Sequence, residues 1–271
     1  MKETTRPKPS ITPAAFKDSA RVVGWTLGAD AVQHVLAVVF ARNAIGLYAI
    51  QAFAMELFAG KVGVDWSDAS HGQASGRAIA KRVGIGALFA TLAALLCFGA
   101  VAIHGGAIVK GRAGLAPLAI GLLSAGLIAT RDELLLRGCV IRAFREVAPA
   151  RALLVICGLV GAAGRFGDPT ATYVEVAYNG ALAVAFASAW LFDRGAWMAL
   201  GAHAAWTFAT MTLGRGAIFD VKPAAGGTFH DDLAVLAALS LVALASAAFS
   251  ASRARGVNIE AGKTMNGGAH E

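Results

Sequence analysis

Five residues that can pair, donate a hydrogen bond or move a proton stand where apolar helices must carry them. Asp132, Glu133 and Arg137 end one apolar run, and His203 and Thr207 lie in the middle of another. Acids, arginines and imidazoles taken out of water have two uses. They cancel one another's burial cost as internal pairs, or they do acid–base chemistry where bulk water is excluded. Residues four apart on a helix lie about 40° apart around its axis, so Glu133 and Arg137 share a face and can form an intrahelical ion pair. By spacing alone, that pair neutralises itself and needs no function. His203 has no water to satisfy it at mid-helix, so it is either a core histidine bonded to a neighbouring helix or a working group.

Other polar groups within apolar runs read as internal pairs. Asp30 and His34 stand four apart in the first run, Glu56 lies in the second, and Glu175 and Asn179 stand four apart in a later one, within reach of packing against Arg165. Glycines 158, 161 and 164 repeat every three residues and make a smooth face for close helix packing. Cys97, Cys139 and Cys157 have no metal-ligand or redox spacing and read as buried thiols. With no cluster of His and Cys ligands, no metal and no cofactor is expected.

The elements that position these residues belong in a membrane. The chain has 271 residues, 57% hydrophobic and only 15% charged, and its small residues are Ala and Gly, as in helices that pack closely in lipid. A net charge of +7 then reflects basic residues flanking spans and facing lipid headgroups, not a nucleic-acid partner. Apolar runs at about 83–103, 114–131, 151–167, 173–192, 195–213 and 231–250 are each of a length to cross a bilayer, roughly 20 residues. The stretch 21–60 is one long helix or two spans hinged at "ARNA", residues 41–44. Two spans put 18 of the 24 Lys and Arg residues on the cytoplasmic side and one span puts 10 there, so the positive-inside rule selects eight spans with both termini cytoplasmic. The expected fold is all-α, a polytopic helical bundle of about eight transmembrane helices. Residues 1–20 form a basic cytoplasmic tail, 21–250 the transmembrane domain, and 251–271 a disordered cytoplasmic tail.

The order of these features is more specific than any one of them. "DELLLRG" at 132–138 resembles the acidic pair, three-residue spacer and Arg-Gly of the CPBP family of membrane proteins, which includes CAAX prenyl endopeptidases and bacteriocin-immunity-type proteins. "WMALGAHAAWTF" at 197–208 is similar to that family's later motif, a mid-helix His with Asn four residues on, and Tyr178, Asn179 and Gly180 precede the "DRGAW" turn at 193–197 as the family's glycine-bearing helix precedes its tight turn. The resemblance covers about 114–210. It implies a glutamic-type, metal-independent intramembrane endopeptidase, placed in the bacterial inner membrane and acting on a prenylated or membrane-anchored protein. A carboxylate in low dielectric takes a proton from water as that water attacks a peptide carbonyl, and nearby donors hold the oxyanion. Carried over by position, Asp132 is the general base at the cytoplasmic leaflet, Glu133 and Arg137 fix its helix, and His203 orients the water or donates to the oxyanion.

Three positions depart from the family. Asp132 stands where the family has Glu, one methylene shorter, and Thr207 stands where it has Asn. Arg165, or else Gly164, aligns with a family histidine, and an arginine can donate to an oxyanion but cannot shuttle a proton. Two readings therefore stand: the endopeptidase, and a catalytically inactive relative acting as a membrane scaffold, chaperone-like or immunity protein, in which Arg165 pairs with Asp132 or Glu175. A third class, a transporter or a haem or quinone protein using His34 and His203, lacks paired axial histidines and inverted repeats.

Overall fold

A computed structural model describes residues 13–39, 44–61, 63–64, 66, 75–111, 114–145, 147–165, 171–215, 217–222 and 228–266. The helices are α1 (Pro13–Val39), α2 (Ala44–Lys61), α3 (Gly76–Ile103), α4 (Leu115–Asp132), α5 (Cys139–Phe144), α6 (Ala150–Ala163), α7 (Tyr173–Asp193), α8 (Trp197–Phe208) and α9 (Thr228–Asn266). A π-helical turn over Glu133–Gly138 joins α4 and α5 into one helix, and α8 continues through a second such turn over Ala209–Leu213. The bundle is all-α as expected. Added to it is one antiparallel ladder, β1 (Ala107–Lys110) against β2 (Phe219–Lys222), for which the sequence reading has no counterpart.

Among the described residues three stretches, Gly76–Ile103, Tyr173–Asp193 and Asp232–Ser250, are long and apolar enough to cross a membrane, and Ala150–Ala163 is a shorter apolar helix. Leu88, Leu92 and Leu96 of α3, Val155 and Leu159 of α6, and Leu241 and Leu244 of α9 are all more than half exposed, which is the surface of a bundle whose solvent is lipid. Length and hydropathy alone do not reach eight crossings. The helix through 115–144 carries five ionisable residues between Arg131 and Arg142, and it is these that make it less apolar. In the ambiguous stretch 21–60, α1 and α2 are separate helices, and most of the proposed hinge lies outside the described residues. Helix also extends into both segments read as tails: α1 starts at Pro13, a residue suited to a first helical turn, and α9 runs to Asn266 through a stretch without proline.

Contacts at the two ends of the bundle show that successive helices alternate in direction. At one end Ser19 Oγ donates to the Ala143 carbonyl (2.7 Å), Arg82 pairs with Asp193 (3.4 Å), and the Ala196 amide donates to the Trp66 carbonyl (2.9 Å). At the other, the β1–β2 ladder is extended by the Gly111 amide donating to the Ile218 carbonyl (2.7 Å), and Phe98 meets Phe219 edge-on. Arg142, Arg145, Arg151 and Arg194 belong to the first end; Lys110, Arg165, Arg215 and Lys222 belong to the second.

Small residues decide how closely the helices approach. A Cβ on Gly201 of α8 would fall against the Val83 carbonyl oxygen of α3, and one on Gly86 against the Met198 carbonyl oxygen and 2.9 Å from the Ala202 nitrogen. The α3–α8 crossing is therefore backbone on backbone, two residues from His203. Between α6 and α7, a Cβ on Gly158 would come 2.9 Å from Val184 Cγ2, and one on Gly161 would collide with the Ala183 methyl, so the glycine repeat is a packing face as expected. Gly201→Ala overpacks its crossing and should cost about 1–3 kcal/mol, read as a lower thermal unfolding midpoint in detergent. Gly84→Ala, with nothing within 4 Å of the new methyl, should leave that midpoint unchanged or higher. Equal midpoints for the two variants would show that α3 and α8 can separate without penalty.

Candidate active site

A π-helical turn winds its backbone more widely than an α-helix, and such turns recur at functional sites. Over Glu133–Gly138 it buries five of six residues, Glu133, Leu134, Leu135, Arg137 and Gly138, on the inner side of the bundle. Glu133 is fully buried, and its carboxylate accepts from three directions. Arg137 Nη1 donates to Oε1 (2.8 Å), Trp190 Nε1 from α7 donates to Oε2 (2.7 Å), and His203 Nδ1 from α8 lies 2.8 Å from Oε1. An ionised carboxylate only accepts, so the hydrogen-bond network assigns the proton of this contact to His203 Nδ1. The Glu133–Arg137 pair expected from spacing is present, but it is one strand of a three-helix junction and does not merely neutralise itself.

The other imidazole nitrogen, His203 Nε2, faces Asp132 Oδ2 at 3.8 Å. That is too long for a hydrogen bond. The ring is clamped by Phe186, stacked on it with centroids 4.8 Å apart, and the Arg137 guanidinium lies 5.1 Å from the same phenyl centroid, in cation–π range. Asp132 Oδ1 accepts from Arg131 Nε (2.6 Å), and Arg131 Nη1 donates to Gln51 Oε1 of α2 (3.1 Å). Arg131 thus differs from its reading as a charge at the membrane edge: it is turned into the bundle, where a buried amide and a carboxylate satisfy it.

Asp132, Arg137, Arg165, His203 and Thr207 line one cavity of about 430 Å³, with Phe186 on its wall. Glu133 stands behind it. The guanidinium bonded to Asp132 is that of Arg131. Arg165, just past the end of α6, lines the cavity, and of its two expected partners, Asp132 or Glu175, Asp132 is bonded by Arg131. Arg137 Nε is buried with no hydrogen-bond partner among the described residues. Asp132 lies roughly 18 Å along the helix axis from Phe144 at the first end of the bundle.

The remaining expectations divide. Glu175 belongs to a capping box: its carboxylate accepts from the Thr172 amide (2.8 Å), Thr172 Oγ1 accepts from the Glu175 amide, and Asn179 Nδ2 donates to the Glu175 carbonyl (2.8 Å). Start of helix, not internal pairing, explains these residues. Glu56 accepts from Trp66 Nε1 (2.8 Å), and Trp66 stacks on Trp197. The side chains of Asp30 and His34 lie outside the described residues. The three cysteines are buried and reduced. Among the described residues no group of three or more His, Cys, Asp or Glu side chains is placed to hold a metal ion. Sequence reasoning missed Trp190, Phe186 and Gln51. Only Gln51 carried a signal, as a lone amide in an apolar helix.

Arg137→Met strands a buried carboxylate and should lower stability by roughly 3–5 kcal/mol. Trp190→Phe removes one donor from Glu133 and should cost about 1–3 kcal/mol. Both are read by unfolding of the full-length protein in detergent, and an Arg137→Met protein as stable as wild type would mean that Glu133 is not held there as an anion.

No curated protein and no solved structure matches the chain. Residues 113–209, which carry all six candidate site residues, match the family model described as type II CAAX prenyl endopeptidase Rce1-like, consistent with the CPBP family whose motifs the segment resembles.

Proposed function

We propose that this chain is an intramembrane endopeptidase that cleaves a prenylated or membrane-anchored protein with water activated between Asp132 and His203. The observation that carries this reading is the 3.8 Å gap from His203 Nε2 to Asp132 Oδ2 at the wall of a 430 Å³ cavity. A water about 2.8 Å from each group spans that gap. With Nδ1–H committed to Glu133, neutral His203 presents Nε2 as an acceptor, and Asp132 Oδ2 is an acceptor too. Such a water gives both protons to the protein and turns a lone pair towards the cavity.

In the reaction the water oxygen bonds to the peptide carbonyl carbon while its proton passes to Asp132, leaving an oxyanion. Asp132 then returns that proton to the amide nitrogen as the C–N bond breaks, releasing an amine and a new carboxyl group. The Thr207 hydroxyl, on a cavity-lining residue, is a donor available to the oxyanion. Glu133 is a positioning residue that fixes the His203 tautomer. Eight membrane crossings, cytoplasmic termini and a bacterial inner-membrane location complete this reading, on the charge distribution of the loops.

The second reading, a non-catalytic scaffold or immunity-type protein, draws on the 2.6 Å Arg131–Asp132 bond and on Arg165 where the family has histidine. Cleavage of a fluorogenic prenylated peptide by the full-length protein in proteoliposomes separates the two. Asp132→Asn should reduce the rate by at least about a hundredfold at an unchanged unfolding midpoint, and His203→Gln should reduce it as much while lowering the midpoint, since it also removes the imidazole donor from Glu133. Equal rates in wild type and Asp132→Asn, or no cleavage by wild type, would favour the scaffold.

A further inference from the structure

A second cavity, separate from the one that Asp132 lines, lies between α3, α7, α8 and α9. It is a groove of about 230 Å³ whose lining presents no polar surface. Neighbours in sequence divide between the two cavities: Ala202 lines the groove and His203 the other, Ala185 the groove and Phe186 the other. We propose that the groove holds one acyl chain of an anionic phospholipid from the surrounding bilayer, with the headgroup phosphate between Lys81 and Arg194. The proposal is independent of the endopeptidase reading.

The floor is made of small residues, Gly86, Ala185, Ala189 and Ala202, and the exposed side chains of Ile85, Phe89 and Phe249 border it. Phe192 and Phe249 stack with centroids 5.2 Å apart and join α7 to α9 beside it. Two hydroxyls in the lining are turned back onto their own helices: Ser188 Oγ donates to the Val184 carbonyl (2.7 Å) and Ser246 Oγ to the Val242 carbonyl (2.6 Å). An extended peptide would find no partner there for its amides and carbonyls. A helix, about 10 Å across with its side chains, is too wide for the slot. A hydrocarbon chain needs no hydrogen bonds and gains dispersion contacts along the floor. From Ala185 to Phe192 the groove follows roughly 10 Å of the α7 axis towards the first end of the bundle.

Charge at that end selects the headgroup. On α3, Lys81, Ile85 and Phe89 are spaced four apart and share one stripe, so Lys81 stands about 6 Å along the axis beyond the groove wall. Arg194 follows Phe192 by two residues, at the end of α7. Both cations are exposed, and neither has an ion-pair partner among the described residues. The neighbouring acid, Asp193, is occupied, since it pairs with Arg82 and accepts from the Met198 amide (3.4 Å). The mouth is thus basic above an apolar slot, which is the charge pattern of an anionic phospholipid in reverse. Gly86 and Ala202 also belong to the backbone crossing of α3 on α8, so the bound chain would brace the helix that carries His203.

Lipid retention tests this. The full-length protein is released into a mass spectrometer from nanodiscs of equimolar phosphatidylglycerol and phosphatidylcholine with identical chains. Wild type should retain a single phosphatidylglycerol at least about tenfold more often than phosphatidylcholine. Lys81→Gln combined with Arg194→Asn should abolish that preference; asparagine tolerates the left-handed backbone at position 194, where φ is 52°. Ala189→Phe should fill the groove and cut retention at least about tenfold, with Ser246→Leu as a second groove-filling variant. Arg151→Gln makes the same charge change at the same end, on α6, which does not line the groove, and should leave retention as in wild type. Equal retention of the two lipids by wild type overturns the proposal, as does a preference that survives the Lys81 and Arg194 substitutions. An equal loss in Arg151→Gln would reduce it to the general attraction of a basic surface for anionic lipid, and undiminished retention in both groove-filling variants would remove the acyl slot.

Discussion

One buried carboxylate organises the interior. Glu133 has left water entirely, a cost of several kcal/mol for an ion even after relaxation, and only donors placed around it make that burial tolerable. Those donors come from its own π turn, from α7 and from α8, so satisfying one anion fixes three helices in register. Charged hydrogen bonds of this kind are short and directional. Relaxing any one of them turns the imidazole that faces Asp132, which ties the stability of the core to the geometry of the cavity wall.

Packing prepares the ground for that junction. α3 and α8 touch through backbone at Gly86 and Gly201, and α6 meets α7 through Gly158 and Gly161, so α7 and α8 carry Trp190 and His203 on a frame without bulky side chains at the crossings. The π turn supplies the remaining adjustment. It lets Glu133 and Arg137 lie inside while Asp132, one residue earlier on the same helix, faces the cavity. Two adjacent acids thus meet different surroundings, one sealed among donors and one bordering open space.

Much of this was legible in the residues. The helical class, the Glu133–Arg137 pair, the glycine packing face and the convergence of Asp132 with His203 follow from periodicity, spacing and motif order. What failed did so where partners come from elsewhere in the chain. Arg131 looked like an edge charge because its flanking sequence is that of a helix end, and nothing local announces Gln51, eighty residues away. Trp190 looks like any aromatic on an apolar helix until Glu133 is opposite it. Glu175 and Asn179 differ from an internal pair for a local reason: a Thr three residues before a Glu marks a helix start, and the acid serves that cap.

The three departures from the family motif bear on the site unequally. Thr207 keeps a hydroxyl on the cavity wall one helical turn after His203, and Arg165 leaves Asp132 to Arg131, so neither fills the space between Asp132 and the imidazole. The shorter acid matters most, because it sets the distance. A glutamate at 132 would reach about one C–C bond further, enough to close a 3.8 Å separation towards direct contact with Nε2, whereas aspartate leaves a gap of the size one bridging water needs. The shorter acid is, on the proposed reading, compatible with a water held between two acceptors, and the Arg131 bond to Oδ1 leaves Oδ2 turned towards the ring.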